Sequence, residues 1–157
     1  MIPNDKAFNG KDCFDNNGKT IFRWYYVRNL GNYQIRLKIV SINSIYRQGI
    51  ALFFSNFKGK VIYDGKSLEI PKNKFKHYLF KDGDTHNNEF VLSVHAEVGA
   101  LFIGNASERS ESGMFTCGAF GNSFWVEPLA TNSQRFHCND HEYDDDFDDM
   151  VFDLEIV

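Results

Sequence analysis

Residues 139–156 read NDHEYDDDFDDMVFDLEI, an acidic segment that continues without a linker into an alternating apolar one. In residues 150–156 every second side chain is apolar, and Asp153 and Glu155 fall between them. Successive side chains of a strand point to opposite faces of its sheet, so this pattern predicts a strand with one face in a core and one in water. The end of the chain therefore predicts β-structure beside a dense group of carboxylates.

The same alternation recurs in residues 35–39 and 90–98, and no segment keeps helical three-to-four spacing over ten residues. About nine or ten strands are expected, at the spacing of an antiparallel sandwich. We predict an all-β fold, an antiparallel β-sandwich of jelly-roll type, formed by residues 1–157 as one domain. Residues 105–121, rich in Ser, Glu and Gly, predict a mobile loop. Turn-forming sequences separate the apolar runs: Asn16-Asn17-Gly18, Asp64-Gly65 and Asp82-Gly83-Asp84.

Composition narrows the class of protein. The 157 residues can bury about 70% of the surface that the unfolded chain exposes. No apolar run approaches the roughly 20 residues of a membrane span, so we expect no membrane insertion. The first residues lack the basic and apolar parts of a signal peptide, which leaves cytosolic location, another export route or a trimmed signal open. A net charge of -4 with thinly spread bases argues against a nucleic-acid partner.

The three cysteines, Cys13, Cys117 and Cys138, allow at most one disulfide and form no CxxC pair. A zinc site built from Cys138 with His137 and His141 is disfavoured. Neighbouring residues of a strand point to opposite faces, so His137 and Cys138 would not bind the same zinc ion.

Charge is concentrated at the end of the chain. Residues 135–157 hold nine acids against one base, whereas the rest of the chain is net positive. Carboxylates this close repel one another unless a cation neutralises them, and calcium prefers six to eight oxygen ligands. Phe147 interrupts the run and is expected to anchor it to the core. The alternative is a solvated charge run that protects an edge strand from aggregation. The predicted calcium ligands are Asp140, Asp144, Asp146, Asp148 and Asp149.

Two resemblances support this interpretation. The segment 144–152, DDDFDDMVF, resembles an Asp-x-Asp-Phe-Asn-Asp signature of bacterial surface β-sandwich modules associated with calcium. More broadly, the chain resembles the small bacterial galactophilic lectins, which are calcium-dependent jelly rolls. The matching motifs, in order, are Phe8-Asn9-Gly10 before Asn16-Asn17-Gly18, then Gly99-Ala100-Leu101 with Ile103-Gly104-Asn105, and finally Asn139-Asp140 before the acidic loop and the last strand.

The lectin resemblance implies roles for individual residues. Asp140 matches the family's first calcium aspartate, and Asp144 stands where a main-chain carbonyl ligand is expected. Asp148 matches an asparagine that touches both ion and sugar, and the Tyr46 carbonyl would complete the site. Phe147 departs from the pattern because the family has a second asparagine ligand there, for which Asp146 or Asp149 could substitute. Residues 48–88 match nothing in the family.

In such a site two vicinal hydroxyls of a sugar replace waters on the ion, while carboxylates accept their protons as hydrogen bonds. The resemblance makes galactose the first ligand to expect. The predicted ligand contacts are Asp140, His141, Tyr143 and Asp148. Trp24, Trp125, Tyr46 and Tyr143 are candidates to cover the apolar face of a sugar ring, although packing in the core is the favoured interpretation for the two tryptophans.

An enzyme is not expected. The carboxylates are crowded, whereas glycoside hydrolysis needs a separated pair with split acidities, and no catalytic motif appears. We therefore predict a calcium-dependent carbohydrate-binding protein, able to gain avidity as a homo-oligomer. The alternatives are a structural or protein-interaction module with a calcium-stiffened or purely acidic loop, and a small acidic protein that binds a basic partner.

Overall fold

A computed structural model describes residues 13–70, 78–109, 113–117, 122–142, 144 and 146–157. The motif Phe8-Asn9-Gly10 and Tyr143 lie outside these residues. The strands are β1 (Cys13–Asn16), β2 (Lys19–Phe22), β3 (Tyr25–Val27), β4 (Gly31–Ile42), β5 (Gln48–Tyr63), β6 (Lys66–Ser67), β7 (Tyr78–Lys81), β8 (Glu89–Glu108), β9 (Phe115–Cys117), β10 (Ser123–Ala130), β11 (Ser133–Asn139) and β12 (Met150–Ile156).

The predicted all-β, antiparallel fold is confirmed. Every strand pairing is antiparallel, and the hydrogen-bonded order is β1-β2-β10-β11-β12-β4-β8-β5-β6, with β3 and β9 also paired to β8 and β7 to β5. The described residues form 12 strands rather than nine or ten, because short strands pair along the two longest ones. No helix forms in the part of the chain that the structure describes, and so none there could cross a membrane.

The long strands β5 and β8 link two parts of the molecule because both bend at the same level. The first half of β8 pairs with β4, and its second half pairs with β3 and β9. The register between β5 and β8 shifts near Lys58. A Cβ at Gly99, where φ is 91°, would lie 2.3 Å from the Asn56 carbonyl oxygen, so only glycine fits there. Bulges of this kind let a strand leave one sheet and join another.

The alternation seen in the sequence fills the core between these layers. Ile35, Leu37 and Leu92 are completely buried, as are Phe152 and Leu154 of the last strand. Aromatic rings join strands that do not pair. The ring of Tyr25 in β3 packs edge-on against Phe136 of β11 at 5.2 Å, while Phe136 also stacks on Phe152, its register partner in the paired strand β12. Such contacts between layers are typical of a sandwich, in which the two inner faces interdigitate.

The turn predictions also hold. Asp64 and Gly65 both have positive φ and join β5 to β6 in a two-residue hairpin, and Asn17 and Gly18 do the same between β1 and β2. The predicted mobile loop at 105–121 is wrong at its start and at Phe115–Cys117, which forms β9. Residues 105–107 continue β8 and are completely buried, because this part of the strand pairs with β5 and β9 and lies under the acidic loop. All three cysteines are free.

This topology determines where the acidic loop lies. Strands β11 and β12 are neighbours, and β12 pairs in turn with β4, so Cys138, Met150 and Ile42 lie side by side. The loop 139–149 joins β11 to β12 at this end of the strands. The loop that follows β4, residues 43–47, lies next to it.

Candidate metal and ligand site

The two adjacent loops form a polar pocket of about 500 Å³ that is open to solvent. One wall comes from the turn after β4 and the other from the acidic loop. The lining residues are Ile42, Asn43, Ser44, Ile45, Tyr46, Asp140, Glu142, Asp144, Asp146 and Asp149. The pocket therefore presents five carboxyl groups to a ligand.

Asn139 gives the acidic loop its shape. It is completely buried, and its side-chain amide donates to the carbonyl oxygen of Asp144 at 2.6 Å while its Oδ1 accepts the N–H of Phe147 at 3.0 Å. The amide of Asn105, in β8, in turn donates to the Asn139 carbonyl. One side chain thus closes the middle of the loop onto the end of β11 and satisfies polar backbone groups that would otherwise be buried without partners.

Three side-chain hydrogen bonds tie the two walls together. Asn43 Nδ2 donates to Asp148 Oδ2 at 2.9 Å and Ser44 Oγ donates to Asp140 Oδ2 at 2.7 Å. The third runs from the Tyr46 hydroxyl to Glu142 Oε1, also at 2.7 Å. Each pairs a neutral donor on the β4 side with a carboxylate on the loop, and hydrogen bonds to charged groups are the stronger kind.

Three of the predicted ligands converge. Carboxylate oxygens of Asp144, Asp146 and Asp149 all lie within 4.8 Å of one another. Oxygen-only donors at this density match what calcium takes from proteins, and the pocket has room for the waters or ligand hydroxyls that complete its shell. Asp148 Oδ1 is buried without a hydrogen-bond partner, which is costly for a carboxylate. The donor set therefore fits a hard divalent cation.

Electrostatics in the cluster agree with this fit. Burial, together with the nearby Asp140, Asp144 and Asp146 charges, raises the pKa of Asp149 to about 7 against the opposing hydrogen bond from the Asp140 N–H. A hydrogen bond with Asp144, followed by burial, raises the pKa of Asp146. In the protein alone, the cluster thus retains protons that a cation would displace.

The other predicted site residues occupy the periphery of this trio. Both oxygens of Asp140 accept hydrogen bonds, from Ser44 and from the Glu142 N–H, so it braces the loop at the pocket wall. Asp148 points toward Asn43 rather than into the trio. Tyr46 lines the pocket, and its carbonyl accepts a hydrogen bond from Gln48 Nε2 at 3.0 Å.

His141 lies behind Tyr46 instead of lining the pocket. The two rings are 4.4 Å apart, and His141 Nδ1 is 2.8 Å from Ser107 Oγ, which also accepts the Asn122 amide. Ser107 Oγ also accepts the backbone N–H of His141 at 3.1 Å. The predicted contact from Tyr143 falls on a residue that the structure does not describe.

Phe147 behaves as expected of an anchor, but not in the main core. It is buried at a positive φ of 52° and packs with Ile21 in a separate small cluster, against which Phe14 and Trp125 lean. The acidic loop is therefore held by the β1–β2 hairpin as well as by its own hydrogen bonds.

The two tryptophans are engaged with protein neighbours. Trp24 packs edge-on against Phe53 and over Gly104, where a Cβ would lie 2.7 Å from its ring. Trp125 lies between Lys19, whose ammonium is 3.9 Å from the ring centre, and the parallel ring of His137. Both side chains are only half-buried, so each packs against protein neighbours without being part of the buried core.

Sequence reasoning missed Asn43, Ser44 and Glu142. A signal for Glu142 existed in the acidic run, but Asn43 and Ser44 are two ordinary polar residues after a strand, and only the pairing of β4 with β12 brings them to the acids. The buried amide of Asn105 lies in the stretch that was predicted to be a loop, and the buried amide of Asn122 directly follows that stretch.

Neither a protein-family model nor a curated protein sequence matches the chain. Among solved structures, the chain is similar to the Chromobacterium violaceum lectin CV2L in complex with alpha-methyl-fucoside. The identity is 13% and the TM-score 0.37, over 84% of this chain and 93% of the lectin. Likeness at this level does not establish a shared fold, so the function is argued from this chain's own residues.

Proposed function

We propose that the protein binds carbohydrate through a calcium ion held in the acidic pocket, with galactose as the first ligand to test. The observation that carries the proposal is the convergence of Asp144, Asp146 and Asp149 within 4.8 Å in a pocket open to solvent. A site closed by protein ligands would serve structure alone, whereas an open one leaves coordination positions for a ligand.

Asp144, Asp146 and Asp149 would hold the ion, with the Tyr46 carbonyl, Asp140 and Asp148 as the further donors that the sequence suggests. When bound, the ion would coordinate two vicinal hydroxyls of the sugar. The chain's own residues orient the acids. Asn43 and Ser44 fix carboxylates of the loop by hydrogen bonds.

The first test is thermal unfolding in excess calcium, in excess magnesium and in chelator. Calcium at 100 times its Kd should stabilise the folded protein by about 2.7 kcal/mol. For a chain of this length that corresponds to a rise in Tm of roughly 5–10 °C. Magnesium should do less, because it demands a tighter octahedral shell than this donor set offers.

The second test is titration of methyl galactoside by calorimetry, with calcium and then with chelator. Binding that disappears with chelator supports the proposal. The variant Asp144→Asn should lose both the calcium shift and the sugar binding, whereas Asp64→Asn, an acid in the distant β5–β6 turn, should keep both. Sugar binding that survives chelation would sink the ion-bridged mechanism.

A structural role for the loop is the second candidate, favoured by the many hydrogen bonds and the Phe147 anchor that already tie it down. In that case calcium raises the Tm but no sugar binds. A purely acidic surface for a basic partner would respond to neither calcium nor sugar. The same two measurements therefore separate all three functions.

A further inference from the structure

The pocket's hydrogen-bonding groups restrict the chemical class of its ligand. Among the described lining residues, the side-chain donors are the Asn43 amide, the Ser44 hydroxyl and the Tyr46 hydroxyl. Each is already bonded to a carboxylate of the acidic loop. Ser and Tyr hydroxyls have a single proton to give, so only the second N–H of Asn43 remains. The rest of the polar lining is carboxyl oxygen, which accepts.

The negative charge of the pocket lining restricts the class of ligand in the same way. Five carboxyl groups line the pocket, and one divalent cation offsets two of their formal charges. No lysine or arginine is among the lining residues that the structure describes. A carboxylate, sulfate or phosphate on the ligand would therefore meet acceptors and negative charge, whereas hydroxyl and ammonium groups would meet partners.

Glu142 is placed to distinguish a ligand that carries an ammonium group from one that carries an anionic group. It is exposed, it lies at the rim of the pocket, and the Tyr46 hydroxyl holds its Oε1 at 2.7 Å. That bond fixes the carboxylate against the ring of Tyr46, which packs in turn on His141. Its other oxygen is available to a ligand, and a carboxylate at a pocket mouth pairs with an ammonium group at modest gain.

We propose that the pocket selects donor-rich saccharides, so that an amino sugar binds more tightly and a uronic acid less tightly than the parent neutral sugar, with Glu142, positioned by Tyr46, as the discriminating residue. This inference rests on the proposed function, because it concerns the same site. It adds the ligand's charge, which neither the fold nor the ion requirement decides.

The experiment uses three matched series at about pH 6.5, where the amines are protonated. Galactose, glucose and mannose are each compared with the corresponding 2-amino sugar and uronate, in calcium and in chelator. For any parent that binds, the amino sugar should have a Kd at least about threefold lower and the uronate at least about threefold higher, as expected of one exposed ion pair.

Variants assign the effect to Glu142. Glu142→Gln keeps an oxygen for the Tyr46 hydroxyl but removes the charge, so the ratio of the neutral-sugar Kd to the amino-sugar Kd should fall to about one, whatever happens to each Kd alone. Tyr46→Phe should weaken the same preference by freeing the carboxylate. The matched control Glu155→Gln, near the far end of β12, should leave the preference intact.

The outcomes separate the two proposals. If neutral sugars bind in calcium but their amino and acidic relatives bind equally well, the selectivity inference is overturned and the proposed function stands. A uronate that binds more tightly than its parent would show that its carboxylate reaches the ion, which also overturns the inference. If no sugar of any series binds, both proposals fail.

Discussion

The two ends of strand β4 carry cavities of similar size and opposite chemistry. At the Ile42 end lies the acidic pocket, about 500 Å³, and at the Asn32 end lies a groove of about 420 Å³, which Lys60, Ser93 and His95 also line. About 33 Å of strand separates Asn32 from Ile42 at 3.3 Å per residue. The groove is formed by side chains of the paired strands β4, β5 and β8 together with Val157, whereas the pocket is formed mainly by loops. The scaffold provides concave surfaces at both ends, and the loops put a group of carboxylates into one of them.

The largest expected effect comes from removing the anchor of the acidic end. Phe147→Ala should destabilise the protein by about 3 kcal/mol, because a buried aromatic is lost from a small cluster. It should also weaken calcium binding by releasing the loop. Chemical denaturation and calcium titration measure the two effects. A variant that loses stability but binds calcium normally would show that hydrogen bonds alone shape the loop.

Removing charge from Asp144 and Asp146 should change the stability of the protein in opposite directions with and without calcium. The double variant Asp144→Asn/Asp146→Asn should be slightly more stable than wild type in chelator, because like-charge repulsion is relieved. In calcium it should lack the gain of about 2.7 kcal/mol expected at 100 times the Kd. Thermal melts in both conditions check this. A variant that still gains stability from calcium would place the ion elsewhere.

Loss of the Asn139 side chain, which holds the acidic loop onto the end of β11, should have the next largest effect. Asn139→Ala should raise the calcium Kd by about tenfold or more, as changes to residues that orient metal ligands do. The control is Asn132→Ala, which removes a similar amide bond, to the Ile156 carbonyl, at the groove end. Calorimetry on both variants decides. Equal calcium affinity in the two variants would mean that the Asn139 side chain only supports folding.

The pH should change the stability and the calcium affinity of the acidic end through Asp149. Because the pKa of Asp149 is raised to about 7 from 3.8, the folded state holds a proton that the unfolded state has lost between about pH 4 and 7. Stability without calcium should therefore fall as pH rises through this window and level off above it. Calcium, which displaces the proton, should bind more tightly at pH 8 than at pH 5.5.

These trends can be measured by melts across pH with and without calcium. Asp149→Asn, which cannot titrate, should flatten the calcium-free profile. An unchanged profile in that variant would assign the pH dependence to other groups.

The smallest effect belongs to the groove end. The Tyr33 hydroxyl is buried without a hydrogen-bond partner, and burial raises the pKa of Tyr33 to about 12. Tyr33→Phe should leave stability unchanged or raise it by up to about 1 kcal/mol, since a buried unpaired hydroxyl is unfavourable. Calcium affinity should not change. A clear loss of stability on denaturation would mean that the hydroxyl has a partner in solution.

The sequence by itself determined the fold class. The period-two alternation in β4, β8 and β12 could bury one face only as strands, and the Asn-Gly and Asp-Gly pairs could make only tight turns with positive φ. It also located the acidic loop, since nine acids in the last 23 residues are visible without any structure. These features are local, and local chemistry can be read from neighbouring letters.

Only the tertiary structure decided which acids act together. Strand pairing placed Asn43 and Ser44 against Asp148 and Asp140, which left the other three predicted carboxylates free to converge. It also turned the expected loop at 105–107 into a buried strand that supports the site. Partners about 100 residues apart are selected by sheet register and burial, and no pattern within either segment specifies them.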